Sequence, residues 1–239
     1  MKPLGDVRVR QAMSHALDRE FILQRLWSGI GKVATGPIAS TTPFYDPAVA
    51  KLQPFDPAKA MQLLDAAGYP ANAKGVRFTI KHLIVPYGEV YSRLAEYFRS
   101  AMQKVGIEVV LESTDAGAWV GRLGNWDYET TGNGISQFGD PTIGVERSYV
   151  SSNIKKIPFT NTSGYSNPEV DKLFATARMS GDHAVRQQAF SAVQKILCDE
   201  VPEIWLKEDR YPTIHQKKLH NIIRTGIGPN GDFEDAYFE

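Results

Sequence analysis

Apolar residues recur at two periods along the chain, and the switches between them mark its elements. Ala12, Met13, Ala16 and Leu17 fall at helical spacing behind Asp6, a residue suited to cap a first turn. Asp18 with Phe21, Ile22 and Leu26 repeats the arrangement, so residues 6–27 are predicted helical. Residues 29–54 carry prolines 37, 43, 47 and 54 and no sustained period, which predicts an ordered loop over a surface. Asp56-Pro57 then opens a helix that Gly68 ends and Pro70 cannot continue. Val76, Phe78 and Ile80 alternate with Arg77, Thr79 and Lys81, the period of a strand. Val90, Leu94, Phe98, Ala101, Met102 and Val105 form one helical stripe closed by Gly106, and Ile107 to Leu111 is a β-branched run. Strand, helix, strand in this length predicts a right-handed βαβ crossover with parallel strands.

Further on, Asp115 is predicted to cap a short helix through Trp119 and Leu123, and residues 128–131 a short strand entering the glycine-rich loop 132–139. Asn167-Pro168-Glu169 opens a helix to about Met179, and Asp182 opens another whose stripe is Ala189, Phe190, Val193, Ile196 and Leu197, with Cys198 beside it. Ile204–Leu206 and Tyr211–His215 are expected as short strands before an acidic, turn-rich tail from Gly226 to Glu239. The alternation of elements gives an α/β architecture.

Composition narrows the function classes. The 239 residues hold 27 Lys plus Arg against 27 Asp plus Glu, a net charge of zero that removes the electrostatic footprint of nucleic-acid binding. Hydrophobic residues at 42% and aromatics at 10% are globular values that argue against disorder. One cysteine, Cys198, excludes an internal disulfide framework and any multi-cysteine metal site. Apolar runs stay well short of the ~20 residues that span a bilayer. Met1 to Asp6 has no apolar core of a signal peptide, so no export signal is expected within this chain.

Candidate chemistry is sparse. Gly226-Ile227-Gly228-Pro229-Asn230-Gly231 matches G-x-G-x-x-G by letter, yet the few residues behind it leave no room for the helix and strand a dinucleotide site needs. His15, His82, His183, His215 and His220 show no pair at metal-ligand helical spacing, and no cofactor is expected. Asp127 and Asp140 are the carboxylates available to an acid–base hydrolase or transferase, although Asp140-Pro141 also reads as the opening of a helix. In contrast, Asn133-Gly134-Ile135-Ser136-Gln137-Phe138-Gly139 joins amide, hydroxyl, aromatic and glycine without a catalytic base, which suits binding more than turnover.

Several segments together resemble the C-terminal lobe of the family 5 extracellular solute-binding proteins, the peptide, dipeptide, nickel and oligosaccharide receptors of bacterial ABC importers. They are residues 6–13 with Ala16-Leu17-Asp18-Arg19, Gly36-Pro37-Ile38, Asp56 to Ala60 leading to Ala66-Ala67-Gly68-Tyr69-Pro70, Trp126-Asp127, Asp140-Pro141 and residues 165–173, in the family's order. The resemblance implies a type II periplasmic-binding-protein-like lobe, a mixed sheet flanked by helices, over residues 1–205, with 206–239 returning toward an opposite lobe outside this chain. It implies a non-enzymatic, periplasmic or otherwise extracytoplasmic receptor that binds a small polar solute or peptide between lobes and presents it to a membrane permease. In peptide-binding members an Asp of the glycine-rich loop meets the ligand's amino group; that place falls at or near Ser136, and the usual tryptophan near Asn133. A neutral Ser136 forgoes a charge-assisted contact of about 1.5–3 kcal/mol, so a sugar, an opine-like compound or a modified peptide fits at least as well as a dipeptide. Asn133, Ser136, Gln137 and Phe138 are the expected ligand-facing residues, with Arg147, placed one or two turns into the next helix, as a carboxylate receptor and Trp119 as a further contact.

Overall fold

The computed structural model describes residues 2–225 and 228–239. The N-terminal helical region has a break: α1 (Val7–His15) ends before Asp18, which caps a single turn at Arg19–Phe21 that widens into a π turn at Ile22–Leu26. Strand β1 (Lys32–Val33) and a 3₁₀ turn at Pro47–Lys51 interrupt the loop that follows. Then come α2 (Pro57–Ala66), β2 (Phe78–Leu83), α3 (Glu89–Gln103), β3 (Ile107–Glu112), α4 (Ala116–Asn125) and β4 (Thr130–Thr131). The C-terminal part holds α5 (Pro168–Met179), α6 (His183–Glu200), β5 (Lys207–Glu208), β6 (Leu219–His220) and β7 (Tyr237–Phe238). Asp6, Asp18, Asp56, Asp115, Asn167 and Asp182 each accept a hydrogen bond from a free N–H of the turn they open, as their cap positions require.

The central sheet has the order β3-β2-β4, and both pairings are parallel: Phe78 faces Ile107 and His82 faces Thr130. The antiparallel pairings lie in two separate ribbons, β1 with β5 and β6 with β7. Two expectations at the C-terminus are corrected. The strand expected at Ile204–Leu206 forms directly after it, at Lys207–Glu208, where the partner Lys32–Val33 becomes available. Tyr211–His215 finds no ladder partner among the described residues and is largely exposed, Ile214 at 95%. Of the G-x-G-x-x-G letters, Gly226 and Ile227 lie outside the described residues, and Gly228–Asn230 form a 3₁₀ turn.

The core has three parts. Val9, Met13, Ala60, Leu64, Phe98 and Met102 close over Ile80 and Ile107 of the sheet. Ile38, Phe44, Tyr149, Phe174, Phe190 and Leu197 fill the space around α5 and α6. A smaller cluster, Leu83, Val85, Trp119 and Leu123, sits under the carboxyl ends of the strands. The first two are tied by polar staples from the N-terminal helices. Arg10 donates to the carbonyls of Glu200 and Val201, Gln11 to that of Asp199, and Arg19 to that of Trp205. Cys198 is buried and burial pushes its thiol up to about 12, so it packs as a small apolar group.

His82 gives the sheet a pH dependence. Its ring lies tilted at 40° to that of Phe98, centroids 4.8 Å apart, and Nδ1 meets Thr130 Oγ1 at 3.0 Å; that hydroxyl donates to Lys81 O, so Nδ1 carries the proton. Burial lowers the imidazole from 6.5 to about 4, so the native state resists protonation while the unfolded chain accepts it. Stability from His82 is complete above pH 6.5 and is lost as pH falls toward 4. Between pH 7 and pH 5 the loss is about 2 kcal/mol. Urea titrations at the two pH values read it as the difference between the native chain and a His82→Gln variant, whose own pH dependence lacks this share.

Candidate functional site

Parallel strands of an open α/β sheet present their carboxyl ends, and the loops leaving them, as the common place for ligand. Here those loops are residues 84–88 after β2, 113–115 after β3 and 132–139 after β4. The third carries most of the expected ligand-facing residues. Gly132 begins it because a Cβ there would lie 2.9 Å from Val85 Cγ2, so the loop passes directly against the segment leaving β2. Further along, Gly144 has φ +105°, and a Cβ on it would meet Ser136 O at 2.1 Å; only glycine lets the loop lie down on the following turn.

Gln137 fixes the loop from its other side. Its Oε1 accepts from Ala39 N at 2.8 Å and its Nε2 donates to Pro37 O at 2.9 Å, so both ends of the amide grip the 37–39 segment. Asn133 Oδ1 accepts from Gly134 N at 2.8 Å, and Asn133 and Ser136 are exposed. Phe138 stands 54% exposed, with Ile143 similarly open at 55%. Trp119 is buried beneath the strand ends; its Nε1 donates to Thr131 Oγ1 at 3.1 Å, and that hydroxyl donates to Leu83 O.

Asp140 ends the loop with an ion pair rather than a helix, which corrects the expectation for Asp140-Pro141. Its carboxylate accepts from Thr142 N and Thr142 Oγ1, and Gly144 then turns the chain so that only a 3₁₀ turn forms, at Glu146–Ser148. Arg147 therefore sits exposed in that short turn, not along a helix face. Arg186 Nη2 holds both oxygens of Asp140, at 2.7 and 2.6 Å, while its guanidinium lies 4.8 Å from the Phe44 ring centroid. Burial alone would raise the Asp140 carboxyl; Arg186 and Thr142 outweigh it and hold the group below the ordinary carboxylate range. Asp127 is engaged elsewhere, with Arg122 Nε at 3.1 Å. The two carboxylates serve two different arginines and show no shared site, so the acid–base alternative finds no support.

Sequence reasoning missed Tyr87, an exposed ring in the loop after β2 that packs edge-on to Trp119 at 5.4 Å. No periodic signal marks it; the pairing of β2 with β4 sets Val85, two residues before it, against Gly132 at the start of loop 132–139. Two concavities lie away from this face, a shallow groove of about 600 Å³ along α6 and a cavity of about 170 Å³ among Asp18, Arg19, Gln53 and Trp205. The loop face itself is open. Among the described residues no three His, Cys, Asp or Glu converge to hold a metal ion, and no helix is long and apolar enough to cross a membrane.

A helix-flanked parallel sheet with a polar, pinned loop at its carboxyl edge is the architecture of a periplasmic binding protein lobe. The oligopeptide-binding protein AppA of Bacillus subtilis, solved with a nonapeptide, superposes with a TM-score of 0.83 at 24% identity, over all of this chain and 49% of its own. The family model described as bacterial extracellular solute-binding proteins, family 5 Middle, matches residues 1–156, and the chain belongs to that family. It is 26% identical to the glutathione-binding protein GsiB of Pectobacterium atrosepticum over 98% of this chain and 45% of the relative. The dipeptide-binding protein of Pseudomonas aeruginosa is 29% identical over 95% of this chain and 42% of its own length. The chain thus spans less than half the length of the relatives it matches.

Proposed function

We propose that this chain is the C-terminal ligand-binding lobe of the substrate-binding component of a bacterial ABC importer, acting outside the cytoplasmic membrane and without catalysis. Residues 1–205 form the lobe, and 206–239 lead back toward an opposite lobe. The observation that carries the reading is the loop 132–139, polar, lacking a base, pinned by Gln137 and set at the strand carboxyl ends of a family 5 fold. Asn133, Ser136 and Phe138 meet a small peptide-like or other polar solute, Arg147 receives its carboxylate, and Gln137 and Trp119 hold the face from behind. The accessible surface supports a missing half: 13,102 Å² exceeds the roughly 10,700 Å² of a compact monomer of this mass. Hinge closure over the solute is what the membrane permease then reads.

Calorimetry on the full-length receptor with dipeptides, tripeptides and glutathione tests this. Saturable binding of at least one of them, weakened about tenfold in a Gln137→Leu variant that frees the loop, is the expected result. No binding across the panel overturns the peptide-like reading and leaves a non-peptide polar solute, while hydrolysis of a panel member that an Asp140→Asn variant abolishes overturns the receptor reading itself.

A further inference from the structure

Residues 37–40 are gripped from two directions. From loop 132–139, Gln137 takes Ala39 N and Pro37 O. From β5, the Glu208 carboxylate accepts from Ser40 N and from Ser40 Oγ, both at 2.8 Å, and Lys32 Nζ donates to the same hydroxyl at 3.3 Å. Glu208 is the last residue of its strand before the chain leaves toward residues 211–215. Its backbone is set as closely as its side chain: Lys32 pairs with it across the β1–β5 ribbon, and Gly31, with φ +120°, passes so near that a Cβ there would lie 2.4 Å from Glu208 O. Between the two grips Ile38 is 1% exposed in the core around α5 and α6, which leaves the segment little slack. Stretches 98 and 168 positions apart in sequence thus form one continuous polar chain, from β5 through Ser40 and Ala39 to Gln137. Bonds to a carboxylate are roughly twice as strong as bonds between neutral groups, so the Glu208 end holds more firmly than the amide end.

We propose that Glu208 is a positioning residue for ligand binding, acting through Ser40 and the 37–39 segment on Gln137 to set where loop 132–139 stands. The inference rests on the ligand-binding reading given above. Glu208 itself touches no solute. A displacement of the chain beyond Glu208 as the opposite lobe swings reaches loop 132–139 along this path, without contact between the ligand-facing residues of the two lobes.

The first test is electron paramagnetic resonance on the full-length receptor without ligand, with a nitroxide on a Phe138→Cys background; Cys198 is buried and takes no label. Gln137→Leu and Glu208→Ala each raise the mobile share of the spectrum about threefold or more, and Ser40→Ala, which removes one of the two bonds, raises it less. Glu208→Gln keeps an acceptor for Ser40 N and restores most of the native line shape. The double variant Gln137→Leu with Glu208→Ala is no more mobile than Gln137→Leu alone, because both cut one path. A role confined to the ribbon mobilises a label at Lys32→Cys and leaves the one at Phe138→Cys unchanged; that result overturns the proposal, as does a double variant whose effects add. Calorimetry with tri-alanine and glutathione then reads the consequence: Glu208→Ala weakens native binding of either about three- to tenfold, and an unchanged affinity beside a mobilised label overturns the positioning role while leaving the receptor reading intact. If neither binds the native receptor, the peptide-like reading fails, and the label spectra alone decide whether Glu208 positions the loop.

Discussion

Replacing Arg19 by leucine lowers the free energy of unfolding by about 3 kcal/mol or more and the thermal midpoint by about 6–12 °C. Arg19 is 9% exposed, and its fork is spent on neutral acceptors from three stretches of chain. Nε donates to Trp205 O at 2.7 Å, Nη2 to Ser14 Oγ at 2.7 Å, and Nη1 is shared among Ser14, Leu17 and Gln53 carbonyls at 3.2 to 3.4 Å. Desolvation draws the guanidinium down to about 10, still charged at neutral pH. Leucine fills part of the volume and strands these acceptors away from water, where each unmet group costs about 1–3 kcal/mol. Lysine at this position recovers less than half, because an ammonium cannot span the fork. Urea unfolding curves decide the matter; a loss below about 1 kcal/mol for Arg19→Leu would show that the carbonyls find other donors.

Phe190→Ala is the other large effect, about 3–5 kcal/mol and roughly 10 °C. The ring is fully buried, 4.9 Å from Phe44 and 6.2 Å from Phe174, so truncation leaves a cavity between α6, α5 and the 29–54 segment. It also removes one of two rings beneath Arg186, whose guanidinium lies 5.5 Å from Phe190. Because Arg186 holds Asp140 at the end of loop 132–139, the loss reaches the candidate site. Phe190→Leu, which keeps most of the volume, costs under about 2 kcal/mol. Differential scanning calorimetry of both variants gives the comparison, and equal midpoints for alanine and leucine would count against a cavity mechanism.

The helices were legible because their signals are local. A cap carboxylate and an apolar stripe act within a few residues, so α2, α3, α5 and α6 stand close to where the sequence placed them. The same locality misled at Asp140: an Asx turn onto Thr142 looks alike whether or not a helix follows, and Gly144 decides otherwise only through its approach to Ser136. Strand β5 depends on Lys32 and Val33, far back in the chain, and no local pattern points to that partner. At the site, the residue types of loop 132–139 announced a polar surface, but which of them grip and which face outward is a matter of geometry. Gln137 turns its amide inward to Pro37 and Ala39, Trp119 lies under the strand ends, and Tyr87 gained its place from a neighbour with which it shares no sequence motif.

The staples from Arg10 to Glu200 and from Arg19 to Trp205 join residues 190 and 186 positions apart. For a chain growing on the ribosome at about 5–20 residues per second, the donors wait roughly 10–40 s before their acceptors are made. Helix α1 can pack early against α2 and the sheet, but its polar staples close only once α6 is complete. Contacts of such separation slow folding, since the loop they close must be ordered before any of them adds stability. The contacts that tie the two larger core clusters together are therefore among the last to form.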